Sequence, residues 1–108
     1  MCIFCKIIRK EIPNKTILED DNFLAFEDIN PQAKVHILII PKTHFDSFNT
    51  ITPKIMGEMT TFIQKVASIT EVSHSGYRLI TNIGDNGGQE VKHIHFHLLG
   101  GEKLGGIL

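Results

Sequence analysis

The chain carries almost no surplus charge. Eleven Lys and Arg stand against twelve Asp and Glu in 108 residues, a formal net charge of −1. Without a basic footprint nothing steers a polyanion to the surface, so DNA and RNA are not expected partners and a small molecule is favoured. Long apolar runs are missing too. None approaches the roughly 18 residues that a membrane-crossing helix needs, and the opening residues lack the charged and apolar regions of a secretion signal. The expectation is a cytoplasmic protein without membrane attachment. Cysteine is scarce: Cys2 and Cys5 are the two in the chain, and in a reducing compartment a structural disulfide is the weaker reading of such a pair. Repeats, linkers and low-complexity segments are absent. One domain spanning 1–108 is expected, small enough that self-association would help to cover apolar surface.

Hydrophobic patterning supplies the elements. Cys2 to Arg9 reads as a short helix with Ile3, Phe4 and Ile7 on neighbouring faces, stopped near Pro13. Thr16 to Glu19 and Phe23 to Asp28 read as two short strands, with Asp20-Asp21-Asn22 as the turn between them. A third, strongly apolar strand runs from His36 to Ile40 and ends at Pro41, which cannot donate to a ladder. Thr52 is an N-cap with Pro53 at the first helical position, opening a helix that reaches about Val72. Its apolar stripe is Ile55, Met59, Phe62, Ile63, Val66 and Ile69, a core face without chemistry. Tyr77 to Ile83 and Lys92 to Leu99 are the last two strands, joined by Gly84-Asp85-Asn86-Gly87-Gly88. Five mostly antiparallel strands with one long and one short helix make an α+β domain.

The last strand carries the chemistry. In His93-Ile94-His95-Phe96-His97-Leu98-Leu99 the histidines recur every second residue, and in an extended strand such residues point the same way. Three imidazoles therefore share one face, about 6–7 Å apart along the strand, while Ile94, Phe96 and Leu98 turn to a core. Imidazole titrates near neutrality and can act as nucleophile, proton shuttle or metal ligand.

This His-φ-His-φ-His-φ-φ pattern, with φ apolar, resembles the signature of the histidine triad (HIT) family of nucleotide-binding hydrolases and transferases. Gly100-Gly101 after it and Gly87-Gly88-Gln89 before it resemble the Hint branch, whose members hydrolyse nucleoside phosphoramidates. The resemblance runs nearly the whole length of the chain. It includes the opening Ile3-Phe4-Cys5-Lys6-Ile7-Ile8-Arg9-Lys10-Glu11-Ile12-Pro13, the middle segment from Phe26 to Ala33, His36 to His44, Gly76-Tyr77-Arg78-Leu79 and Asn82. It implies the HIT-like fold, a homodimer joined through sheet and helix, and a purine nucleotide as ligand.

Cleaving a P–N or P–O bond at a nucleoside monophosphate needs a nucleophile, stabilised phosphoryl charge and a proton for the leaving group. The middle ring, His95, is best placed to attack, and the matching family residue forms a covalent nucleotidyl-histidine that water then opens. Its other nitrogen must donate to a fixed acceptor, for which a backbone carbonyl is the usual candidate. His97 would donate to a phosphoryl oxygen, with His36 helping from the adjacent strand. Gly88 and Gln89 read either as phosphate-holding groups or as a plain glycine turn, and Asn82 as a phosphate donor or a strand-end turn former. Asp28 suits both ribose hydroxyls, or a turn. Ile3, Phe4, Ile7, Phe26 and Ile29 match positions around the base. Glu90 stands where many Hint proteins have serine; its carboxylate could repel phosphate or bind an amine leaving group.

Cys2 and Cys5 have a common zinc-ligand spacing, and the resemblance supplies His44 and His93 to complete a Cys₂His₂ set, leaving His95 and His97 for chemistry. Such a closed site would hold a structural zinc that catalysis does not require. A thioredoxin-like role fits less well, since that CxxC should follow a strand. Two other functions compete: a nucleotide-binding regulatory module with weak catalysis, and a zinc-dependent hydrolase that uses the triad as metal ligands.

Overall fold

A computed structural model gives the arrangement of residues 2–106; Met1, Ile107 and Leu108 of the expected 1–108 domain lie outside the described residues. The elements follow in the order α1 (Ile3–Ile8), β1 (Thr16–Glu19), β2 (Phe23–Glu27), β3 (Val35–Pro41), α2 (Pro53–Ile69), β4 (Tyr77–Ile80) and β5 (Phe96–Gly100). The strands form one antiparallel sheet in the order β1-β2-β3-β5-β4. The expected five-stranded α+β architecture with one long and one short helix is the one observed.

Period-two alternation divides the sheet into two faces. Phe23 and Ala25 of β2, Ile37 and Ile39 of β3, and Phe96 and Leu98 of β5 turn to one side and pack with Met59, Phe62, Ile63, Val66 and Ala67 of α2. Leu24, Phe26, Leu38 and Ile40 turn to the other side, where Phe4 and Ile7 of α1 cover them. A long helix thus closes one face, whereas the six-residue α1 covers only part of the other. On that side His97 is partly exposed, while His36, His93 and His95 are buried. Among the described residues no helix is long and apolar enough to cross a membrane.

Several boundaries differ from the expected ones. The triad strand begins its ladder at Phe96 rather than Lys92, and β4 ends at Ile80 rather than Ile83. Both ends have one cause. The Thr81 hydroxyl donates to the His95 carbonyl (2.8 Å) and the Ile94 N–H goes to Phe45 O (2.7 Å), so the loop after β3 and a side chain take over from the ladder. Alternation survives the loss of pairing, since Ile94 still packs in the α2 core. Strand β3 starts one residue before the expected His36, at Val35, and ends as expected at Pro41, which lies opposite Phe23. Helix α2 stops at Ile69, before the expected Val72, in a Schellman-type end. Val72 N–H bonds to Ala67 O (3.0 Å), Glu71 N–H bonds to Ser68 O (3.1 Å), and Glu71 takes a left-handed φ of 61°. No glycine marks this terminus, so the sequence offered no stop signal there. Ile69, expected in the stripe, is 52% exposed, and Ala67 is buried in the core instead.

Candidate active site

His36 on β3 and His97 on β5 lie on the α1 side of the sheet. His97 is paired with Leu38, so His36 is its diagonal neighbour, a separation that long side chains can bridge. Their rings meet, with His36 Nε2 2.9 Å from His97 Nδ1 and centroids 5.1 Å apart. His95 stands beside His97 at 5.1 Å and meets Phe4 edge-on at 5.1 Å. His93 is fully buried against Phe4 at 5.9 Å and against His44 at 4.7 Å. The three triad rings thus share one face, as expected, yet they do not point at one spot.

Hydrogen bonds sort their nitrogens. His95 Nδ1 lies 2.9 Å from His93 O, and a carbonyl can only accept, so the proton of the neutral ring is on Nδ1 and Nε2 keeps its lone pair. This is the backbone acceptor that a nucleophilic His95 calls for. His93 Nε2 likewise donates to Pro41 O at 2.8 Å. His36 Nδ1 receives the main-chain N–H of Gln32 at 3.0 Å, and the Asp28 carboxylate lies 3.5 Å from His36 Nε2. Burial pushes the His36 imidazole below its ordinary value against the pull of Asp28. It lowers His97 as well, where the neighbouring His95 and His36 add to the effect and the Asp28 and Glu90 carboxylates oppose it. Both rings are held neutral near pH 7.

His36 lines a cleft of about 790 Å³, with Ile3, Phe4, Ile7, Phe26 and Leu38 as its apolar floor and Asp28, Lys15 and Lys34 among its polar lining; His95 and His97 are not among its lining residues. That volume is in the range of small-molecule sites. Every residue expected around the base lines it, although Ile29 sits on the rim, 91% exposed. Asp28 Oδ1 accepts the Asn30 N–H at 2.8 Å, as in a turn, and the residue lines the cleft. Sequence reasoning had no signal for Lys15 and Lys34 as lining residues, since lysines read as solvated surface.

Gly88 and Gln89 form the loop that flanks the triad. Gly88 has a φ of 77° and its N–H bonds to Asp85 O. The Gln89 amide is committed to main chain: Oε1 accepts from Gly84 N–H (2.9 Å), and Nε2 donates to Asp46 O (2.6 Å) and Val91 O (3.0 Å). These bonds clamp the loop in place. Asn82 lies two residues past the end of β4, next to Thr81, which holds the His95 carbonyl.

A second group lies under α1. Cys2 Sγ is 3.3 Å and Cys5 Sγ 3.6 Å from His93 Nδ1, Cys5 Sγ is 3.4 Å from His44 Nδ1, and all four ligand atoms lie within 4.8 Å of one another. Tetrahedral zinc, with bonds of about 2.3 Å to sulfur and 2.0–2.1 Å to nitrogen, sets its N and S ligands about 3.6 Å apart. The far nitrogens are held as zinc ligands require: His93 Nε2 by Pro41 O, and His44 Nε2 by Asp46 Oδ1 at 2.9 Å. Asp46 carried no sequence signal. Burial and the adjacent Cys2 push the Cys5 thiol up, the reverse of what a redox CxxC needs. The four residues fit a closed structural zinc site.

This sheet, open on a face that carries a histidine cluster and a small-molecule cleft, defines a hydrolase of the HIT class. The HIT domain model matches residues 9–104. A HIT-like protein of Helicobacter pylori is 53% identical over 103 residues, covering 95% of this chain and 99% of that protein. The purine nucleoside phosphoramidase of Escherichia coli K12 is 48% identical over 109 residues, covering 98% of this chain and 92% of that protein. The crystal structure of a HIT family hydrolase from Legionella pneumophila superposes with a TM-score of 0.91 at 45% identity, covering 95% of each chain. The chain belongs to the HIT family.

Proposed function

We propose that this hydrolase cleaves purine nucleoside phosphoramidates, or related nucleoside monophosphate derivatives, through a nucleotide covalently held on His95. One observation carries the reading: the His95 Nδ1–H is spent on the His93 carbonyl, which leaves the Nε2 lone pair for attack, on the face of the sheet where Phe4 meets the ring. The Escherichia coli relative, named for this activity, supports the substrate class.

In the first step His95 Nε2 forms a bond to phosphorus, the P–N bond to the leaving group breaks, and the departing amine takes a proton delivered from His97. Water then attacks the nucleotidyl-histidine: its oxygen bonds to phosphorus, its proton returns to His97 Nε2, the bond from phosphorus to His95 breaks with its electron pair going back to His95 Nε2, and the nucleoside monophosphate is released. Ile3, Phe4, Ile7 and Phe26 grip the base without hydrogen bonds that name it. The Asp28 carboxylate takes the ribose hydroxyls, and His36 supports His97. Cys2, Cys5, His44 and His93 would hold a structural zinc, which would tie α1, and with it the base-facing residues, to the sheet. A catalytic zinc held by the triad fits the geometry poorly, since His93 faces the thiols while His95 Nδ1 is turned to a carbonyl.

Trapping tests the reading. Incubation with an adenosine phosphoramidate followed by mass spectrometry should find a nucleotidyl adduct on His95, and His95→Asn should abolish turnover with nucleotide binding nearly intact. Near-normal turnover by His95→Asn would sink the covalent route. Retained binding with no turnover by the wild type on several such substrates favours a regulatory module. Activity lost on chelation without loss of fold or binding favours a zinc hydrolase.

A further inference from the structure

We propose that the main-chain N–H of Gln32 fixes where the proton sits in the His36–His97 pair, which makes Gln32 a positioning residue for the acid at His97. The inference rests on the reaction proposed above and adds how its proton donor is kept in the donating form.

A neutral imidazole has one donor nitrogen and one acceptor nitrogen. The Gln32 N–H can only donate, and it points at His36 Nδ1 from 3.0 Å. His36 must therefore keep its lone pair on Nδ1 and its proton on Nε2. That proton faces His97 Nδ1 at 2.9 Å, so His97 accepts there and carries its own proton on Nε2, at the far side of the ring. The Asp28 carboxylate, 3.5 Å from His36 Nε2, agrees with a proton at that nitrogen. With the opposite tautomer two N–H groups would confront each other at Gln32, and His97 would be free to turn a lone pair outward. A base would then replace the acid.

The loop is built to hold this N–H still. Asp28 N–H bonds to His36 O (3.0 Å), Asn30 N–H bonds to the Asp28 carboxylate (2.8 Å), and the Gln32 side chain donates to Asn30 O (3.2 Å). The same arrangement bears on the cluster of Asp28, His36 and His97, whose ligand atoms lie close enough for a cation. With Nδ1 engaged by Gln32 and the proton on Nε2, His36 has no lone pair left to offer one.

Long-range ¹H–¹⁵N NMR on the labelled full chain, without substrate, reads the tautomers directly, with His36 and His97 assigned by single substitution. The expected result is a bare Nδ1 and a protonated Nε2 on both rings, unchanged in Gln32→Ala, which keeps the N–H. In Gln32→Pro, which deletes it, His36 should gain the Nδ1–H form and kcat should fall by about tenfold or more with KM little altered. If the proline variant does not fold, an ester in place of that one amide removes the N–H and keeps the backbone shape. A protonated Nδ1 on either wild-type ring overturns the proposal, as does an N–H-deleted chain with unaltered tautomers. The expected tautomers in a protein that cleaves no nucleoside phosphoramidate would uphold the assignment at Gln32 and defeat the proposed reaction instead.

Discussion

His93 shows how much one residue can be asked to do. Its Nδ1 faces two thiols, its Nε2 holds Pro41 O, and its carbonyl orients the nucleophile. Two-residue spacing made the face of its side chain legible in the sequence, and the family resemblance implied its place beside the thiols. The main-chain parts were not legible. A carbonyl or an N–H has no letter of its own, so the His93 carbonyl behind His95 and the Gln32 N–H behind His36 became visible only with coordinates. Neutral, buried histidines also leave a mark on stability. His36 and His97 are pushed below the ordinary value of 6.5 by burial. Above that value both folded and unfolded chains hold these rings neutral, and stability does not depend on them. As pH falls through it, the unfolded chain takes up protons that the folded chain refuses, and stability drops until the folded values are reached. Urea midpoints should therefore fall between pH 7.5 and pH 5.5 (about one unit either side of the ordinary histidine value), and less steeply in His36→Asn. An equal slope in the variant would exclude His36 as a source.

Among the elements α1 is the least self-sufficient. Six residues make a marginal helix in water, and it is held by Phe4 and Ile7 packing on the sheet and by Cys2, whose sulfur caps Cys5 N–H at 3.1 Å. Its start was legible from pattern alone. The end of α2 was not, because Glu71 occupies the left-handed position that glycine would announce. The ends of β4 and β5 were hidden for a different reason: they depend on a loop carbonyl and a threonine hydroxyl far away in sequence. If zinc anchors α1, Cys2→Ser combined with Cys5→Ser should release one equivalent of metal and lower the melting temperature. The chemical step should be largely spared, because the thiols do not touch phosphate. Metal analysis and calorimetry check this. Zinc that stays bound in the double variant would mean that other residues hold it.

In the whole molecule the sheet ends at β4, a four-residue edge strand. Leu79 and Tyr77 are exposed along it, 42% and 37%, and Leu79 is paired with Leu98 of the α2-side core. Unpaired apolar edges invite a second strand, and a second copy of this chain is the partner that the sequence resemblance implied. Sedimentation should give twice the 12.1 kDa chain mass, and Leu79→Asp should shift the equilibrium toward monomer; a wild-type monomer at working concentration would refute the dimer. The two-faced sheet has a further consequence, for how such a protein can change over generations. The α2 side holds core without chemistry, whereas on the other side Phe4, Ile7, Phe26 and Leu38 both pack and floor the cleft, so substitutions at the exposed rim can retune what is bound while the α2 side keeps the fold intact. Gain or loss of a single residue between His93 and His97 is another matter. It would exchange the two faces downstream, carrying imidazoles into the core and Phe96 and Leu98 into the cleft. Along this stretch, evolution is free to spell but not to count.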